Sequence, residues 1–277
     1  MFYYRNWEEL CKFLNELGVR TCTAEQSLSL ANAQRFVVLK HDVETNVSRA
    51  YKLASIEHAH GICGSYYVQA YLLDEEKNIR MLQEMQSWGH EISYHYDVLD
   101  ACNGDYVAAE ESFERYMKVF NANGFRFKTI CQHGNPVKKR DGYTSNRDFF
   151  RNKGIRNRYP QLVDIVVNYS EQAVSTYKYI SDAGYRWNIF TEPETDDLHP
   201  GAKNVRIGDF KNLMSLIKGS DCSYIISTHP HRWKDKSWKI NIKIAAFRVV
   251  RNTVMLLRHV PGIEWLLNKF YFLAKKI

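Results

Sequence analysis

The stretch that most constrains this chain is Phe36-Val37-Val38-Leu39, which runs directly into Lys40-His41-Asp42-Val43-Glu44-Thr45. A continuous apolar run of this length reads as a strand covered on both faces, the kind found in parallel sheets between layers of helix. Alternation along a strand sends Asp42 and Glu44 to the same side. Carboxylates at the end of a buried strand are costly unless something pairs with them. Two explanations are open at this point: a solvated strand end in which Asp42 or Thr45 caps the following helix, or a polar site built on the strand end.

The rest of the chain repeats the strand–helix alternation. Apolar spacing of three and four predicts helices over 7–17, 46–60, 75–88, 105–123 and 209–218, the first four followed by Gly18, Gly61, Gly89 and Gly124 as stops. Strands are expected at 63–68, 90–96, 125–131, 163–167, 177–180 and 222–227. The polar middle, 135–158, carries one short helical piece near 147–151. This alternation predicts an α/β fold of parallel βα units with six or seven strands, enough to close a barrel and also compatible with an open sheet.

Composition narrows the class. The chain has 277 residues, 45% of them hydrophobic, which provides for a substantial core and excludes a disordered reading. Its six cysteines are scattered, without CxxC or metal-ligand spacing, and residues 1–9 contain no apolar leader. Together these predict free thiols in a reduced, cytoplasmic setting. Of the net charge of +7, the segment from Arg232 onward carries 11 basic against 2 acidic residues, leaving 27 against 29 in the remainder. A basic tail on a nearly neutral domain argues against a nucleic-acid binder.

Several expected strands end in reactive groups: Asp42 and Glu44, His95, His133, Asp182 and His229. In α/β barrels the C-terminal strand ends converge on one face, so residues distant in sequence meet there. Imidazoles and carboxylates together are the donor set of zinc and related divalent ions. Such an ion polarises a carbonyl and acidifies a water, and hydrolysis would further need a base and an acid. Spacing alone leaves these roles unassigned.

Three ordered segments, Leu39-Lys-His-Asp-Val-Glu44, Gly89-His-Glu-Ile-Ser-Tyr-His95 and Ser227-Thr-His-Pro230, resemble the signatures of the polysaccharide deacetylases (NodB homology, carbohydrate esterase family 4). The resemblance spans roughly 36–233 and is closest to a branch whose first motif reads His-Asp-Val-Asp. It implies a distorted (β/α)7 barrel and a metal-dependent hydrolase that removes N-acetyl groups from amino sugars. Matched residue by residue, Asp42 stands as general base, Glu44 and His95 as metal ligands, and His229 as the acid for the departing amine, with zinc the expected ion. The family places a second metal histidine four residues after the first, where this chain has Leu99. His133 is expected to replace it, with Asp97 the other candidate and a purely structural turn the third reading. Gly134, Asp182, Arg186, Trp187 and Trp233 are candidate substrate contacts. Asp182 and Arg186 are read as a pair that either orients the base or forms an ordinary surface ion pair, and Trp187 and Trp233 as stacking platforms or core. His41 and His231 are expected to support the site from beside it, and His90 to be structural.

The expected division is a barrel over 1–233 and a basic amphipathic tail over 234–277. In the tail, Val249, Val250, Leu256 and Leu257 share a helical face opposite Arg248, Arg251 and Arg258, and Pro261-Gly262 breaks the helix. Neither half is long enough to span a bilayer. The tail is read either as a helical pair packed on the barrel or across a homodimer, or as an interfacial element (239–277) on the inner membrane surface. The functional expectation is N-deacetylation of a nucleotide-linked, lipid-linked or polymeric sugar in surface-glycan assembly. Its rivals are a catalytically weak glycan-binding component on the same scaffold and a hydrolase of another N-acyl group, such as formyl.

Overall fold

The computed structural model describes residues 2–30, 34–135, 138–172, 177–190 and 205–235. The tail from 236 onward, with every expectation placed on it, lies outside the described residues.

The strands are β1 (Arg20–Thr21), β2 (Phe36–Val43), β3 (Ser65–Val68), β4 (Glu91–Tyr96), β5 (Thr129–Gln132), β6 (Val163–Asp164), β7 (Tyr177–Ser181), β8 (Trp187–Phe190), β9 (Val205–Gly208) and β10 (Ser223–Thr228). They form one sheet in the order β6-β5-β4-β3-β2-β10-β7-β8-β9, with β1 paired beside β2. From β6 to β7 every pairing is parallel, whereas β8 and β9 continue the sheet antiparallel. The expected α/β class is therefore observed, with a mostly parallel sheet. The expected closed barrel is not: among the described residues, no ladder joins β6 to the far end of the sheet. The sheet nevertheless bends strongly. Val163, Ile165 and Tyr169, in and after β6, share one apolar cluster with Tyr177 and Tyr179 of β7, and the Tyr169 and Tyr177 rings lie 5.1 Å apart.

Strand β2 sorts its side chains by parity. Phe36 and Val38 turn to the concave cluster with Tyr67, Cys131 and Ile225. Val37 and Leu39 turn to the outer layer, where the helix Tyr4–Leu17 applies Trp7, Leu10 and Leu14, and the helix Phe210–Lys218 applies Leu213 and Ile217. These helices form because their apolar residues recur at three and four. The first stops at Gly18, whose φ of 64° is left-handed backbone that glycine adopts without strain.

The same parity puts His41 on the outer side, so it supports the strand rather than the concave site. Its ring stacks on Tyr66 at 4.1 Å, and its Nε2 lies 2.8 Å from Glu57 Oε1. Glu57, fully buried on the helix Val47–Ala59, also accepts hydrogen bonds from Trp7 Nε1 and the Tyr66 hydroxyl, each at 2.8 Å. His90 is structural as expected: its Nδ1 accepts from the Gly64 amide at 2.9 Å and its Nε2 sits 3.1 Å from the Ala54 carbonyl. One buried carboxylate thus ties a helix, β2 and β3 together beneath the strand end that carries Asp42.

Candidate functional site

Helix capping does not explain the strand-end carboxylates. The helix Val47–Ala59 is capped by Asn46, whose side chain accepts from the Arg49 amide, leaving Asp42 and Glu44 to face the concave side. Register delivers their companions. Asp42 pairs with Tyr67, Tyr67 with Ser93, and His95 with Cys131 on the next strand. With a side-chain period of two, Asp42, His95, Cys131 and His133 all leave on the concave face. On the other flank His41 pairs with Thr228, which places His229 level with Asp42.

Glu44, His95 and His133 bring one ligand atom each within 4.8 Å of one another, and all three residues are buried. His133 Nε2 stands 3.3 Å from Glu44 Oε1. Ligands about 2.0–2.1 Å from a tetrahedral ion lie ~3.4 Å apart, so this pair already has the spacing of two donors to one ion. His95 supplies the clearest test of fit. Its Nδ1 is 3.1 Å from the Cys131 carbonyl, which can only accept, so Nδ1 carries the proton. The other nitrogen, Nε2, is buried without a hydrogen-bond partner. An imidazole oriented by a backbone carbonyl and offering a bare lone pair is the usual arrangement of a metal ligand. Burial pushes its pKa down to about 3, against the opposing pull of Asp42, so the lone pair is not taken by a proton at neutral pH. The residues fit a divalent ion.

Leu99, at the position where the resemblance expects a histidine, is fully buried in the core with Val98 and Phe113. It follows β4 on the short helix Val98–Ala101 and packs in the apolar layer. The second imidazole beside Glu44 and His95 is that of His133, at the end of the neighbouring strand β5. Its backbone is held in place: the His133 carbonyl accepts from Asn146 Nδ2 at 2.8 Å, and Asn146 also donates to Asp100, itself clamped by Arg140 through two 2.8 Å bonds. Asp97, the other candidate, belongs to neither ligand cluster found among the described residues. Gly134, next to His133, is exposed and would have open space around an added Cβ.

Asp42 has a partner that the sequence reading missed. Lys40, two residues earlier and so on the same face, places Nζ 2.5 and 2.6 Å from the two Asp42 oxygens although it is only 1% exposed. Burial alone would raise the Asp42 pKa, but the Lys40 ammonium beside it outweighs that effect and holds the carboxyl below its usual range. The same alternation that grouped Asp42 with Glu44 was the available signal for Lys40.

His229 approaches from the β10 side. Its Nδ1 donates to Asp182 Oδ1 at 2.6 Å, and its Nε2 points toward the carboxylates, 3.9 Å from Asp42 and 3.8 Å from Glu44. Asp182 also accepts from Thr228 Oγ1 at 2.6 Å and from the His229 amide at 3.1 Å. Its cationic partner is Arg232, at 2.6 Å, and not the sequence neighbour Arg186, which is exposed. Burial opposes ionisation of Asp182, but Arg232 and His229 hold it well below the ordinary carboxylate range. Asp182 is therefore an anchor for His229 rather than a substrate contact. His231 lies beside Glu44, with its Nδ1 3.8 Å from that carboxylate.

The two tryptophans expected as platforms are core. Trp187 is 2% exposed and Trp233 0%, both packed against Phe2 and Phe210. Trp233 is fixed further by a 2.6 Å hydrogen bond to Thr228. An aromatic residue stands at the rim elsewhere: Tyr71, after β3, is 47% exposed, and its hydroxyl donates to the Glu44 carbonyl.

No family model matches the chain, and no curated protein or solved structure matches it. No helix among the described residues is long and apolar enough to cross a membrane.

Proposed function

We propose that this chain is a metal-dependent hydrolase that removes an N-acyl group, acetyl in the first instance, from an amino sugar. The observation that carries this reading is the convergence of Glu44, His95 and His133, with the unpaired His95 Nε2 among them, beside a carboxylate (Asp42) and an anchored imidazole (His229). The motif resemblance to polysaccharide deacetylases points the same way. So does a parallel sheet bent until β6 and β7 share side chains, which supports a distorted (β/α)7 barrel.

A divalent ion held by Glu44, His95 and His133, zinc from the donor set, would supply carbonyl polarisation and acidification of a water. Asp42 is ionised at neutral pH and takes the proton that the attacking water loses. His229 faces the same space through Nε2 and, carrying a proton on both ring nitrogens, hands the Nε2 proton to the departing nitrogen, while Asp182 holds Nδ1–H and the direction of the ring. Asp182 and Arg232 neutralise each other, so the anchor adds little net charge to the site.

The test is metal analysis of the purified protein together with acetate release from a panel of N-acetylated sugars, free, nucleotide-linked and polymeric. The proposal expects about one divalent ion per chain, and an Asp42→Asn variant that keeps the ion while losing ~10²–10⁴-fold in turnover. Absence of a bound ion, or an Asp42→Asn variant as active as the parent, refutes it.

A further inference from the structure

His95 belongs to two sets of ligand atoms. Besides Glu44 and His133, it groups with Asp42 and Cys131, whose carboxylate oxygen and thiol sulfur lie within 4.8 Å of its ring nitrogen and of each other. Both sets need His95, and its Nδ1 is spent on the Cys131 carbonyl, leaving Nε2 for one ion in one of the two positions. A thiolate ligand favours soft and borderline ions such as zinc, so the inner set would compete strongly with the outer one. It would also bind Asp42 as a ligand and remove it as a base.

What stands beside the inner set is an ammonium group. Lys40 Nζ lies 2.5 and 2.6 Å from the Asp42 oxygens, 3.3 Å from Ser227 Oγ, and 5.2 Å from the Tyr67 ring centroid. Strand β2 is buried along its whole length, and a lysine there is tolerated only because it is paired. Methionine would fill similar space without the cost of burying a charge, so the charge is what distinguishes this position.

Resting on the metal site argued above, we propose that Lys40 is a positioning residue that excludes a metal ion from the inner Asp42–His95–Cys131 set. Its ammonium engages both Asp42 oxygens and repels a second cation. The ion is thereby confined to Glu44, His95 and His133, Asp42 is reserved as proton acceptor, and Cys131 stays unligated.

Cobalt(II) reports the difference directly, because a thiolate ligand gives cobalt a charge-transfer absorption that carboxylate and imidazole ligands do not. The cobalt-loaded parent should bind one ion and lack this band. Lys40→Met should acquire it and bind cobalt at least as tightly, and Lys40→Met combined with Cys131→Ser should lose it again. Lys40→Arg, which keeps the charge, should resemble the parent. A thiolate band in the parent or in Lys40→Arg overturns the role of Lys40 while leaving the metal reading intact. So does cobalt-loaded Lys40→Met without the band. A parent that binds no cobalt overturns the metal reading itself, and this inference with it. Should Lys40→Met fail to fold, Lys40→Gln takes its place and is read in the same way.

Discussion

Replacing Glu57 by leucine tests the hub beneath the strand that carries the candidate base. The carboxylate accepts from Trp7 Nε1 and the Tyr66 hydroxyl at 2.8 Å each and faces His41 Nε2 at 2.8 Å, with no solvent exposure. Leucine has a similar size, so the substitution opens little space. It strands two buried donors and an imidazole. An orphaned buried donor costs ~1–3 kcal/mol, and the Trp7 and Tyr66 donors are both stranded. From the two losses together we expect a total of about 4 kcal/mol. At ~2 °C per kcal/mol for a chain of this size, Tm should fall by ~8 °C. The pH dependence follows from the direction of the Glu57 shift. Burial favours the protonated form, but His41 outweighs it and the folded pKa lies below the ordinary 4.5. A depressed carboxylate stabilises the fold fully above its unfolded pKa and loses that contribution as pH falls through the folded value. Urea titrations should therefore show the full gap between parent and Glu57→Leu at neutral pH and a narrowing gap below about pH 4.5. A neutral-pH gap under ~1 kcal/mol, or one that grows in acid, would refute the assignment of Glu57 as a charged hub.

Three further outcomes concern the site. His133→Ala should lose most of the bound metal, and adding Leu99→His should not restore it, because position 99 faces the core; metal stoichiometry after dialysis checks both. Asp182→Asn should keep its metal but lower kcat by ~10²–10⁴-fold, since His229 loses the anion that orients it, and a parent-like kcat would show that Asp182 is only structural. Tyr71→Ala should raise KM by ~5-fold with kcat nearly unchanged, the loss of one stacking contact worth about 1 kcal/mol, as read from initial rates over a substrate series.

The parts of the fold legible in the sequence were those in which burial leaves a periodic trace. Strand β2 stood out because both its faces are covered, and the helix Phe210–Lys218 because its apolar stripe is continuous. Strands β8 and β9 left little trace: β9 is mostly exposed, so no alternation marks it. In the site, Asp42, Glu44, His95, His133 and His229 could be named because each ends or follows a recognisable strand. Their partners were harder. The Asp182 cation proved to be Arg232, fifty positions away and brought in by β10, whereas spacing had favoured Arg186, which faces solvent. Trp187 and Trp233 carry no local mark that separates a core indole from a sugar platform, and only tertiary packing places them inside. Lys40 was hidden for the opposite reason: a lysine in a buried run is rare enough to be read as the strand's polar end.

The position of β10 between β2 and β7 bears on how the protein assembles. All three candidate metal ligands lie before the midpoint of the chain, on β2, β4 and β5 or just after them, whereas Asp182 and His229, the proposed proton-donating arm, follow β7 and β10. The last strand among the described residues must insert between two that are synthesised before it, a long-range step that closes late because its loop is long. A partly folded chain could thus already present Glu44, His95 and His133 together while His229 and its Asp182 anchor are still unplaced. Chain order would then separate metal capture from catalytic competence, with insertion of β10 as the event that turns one into the other.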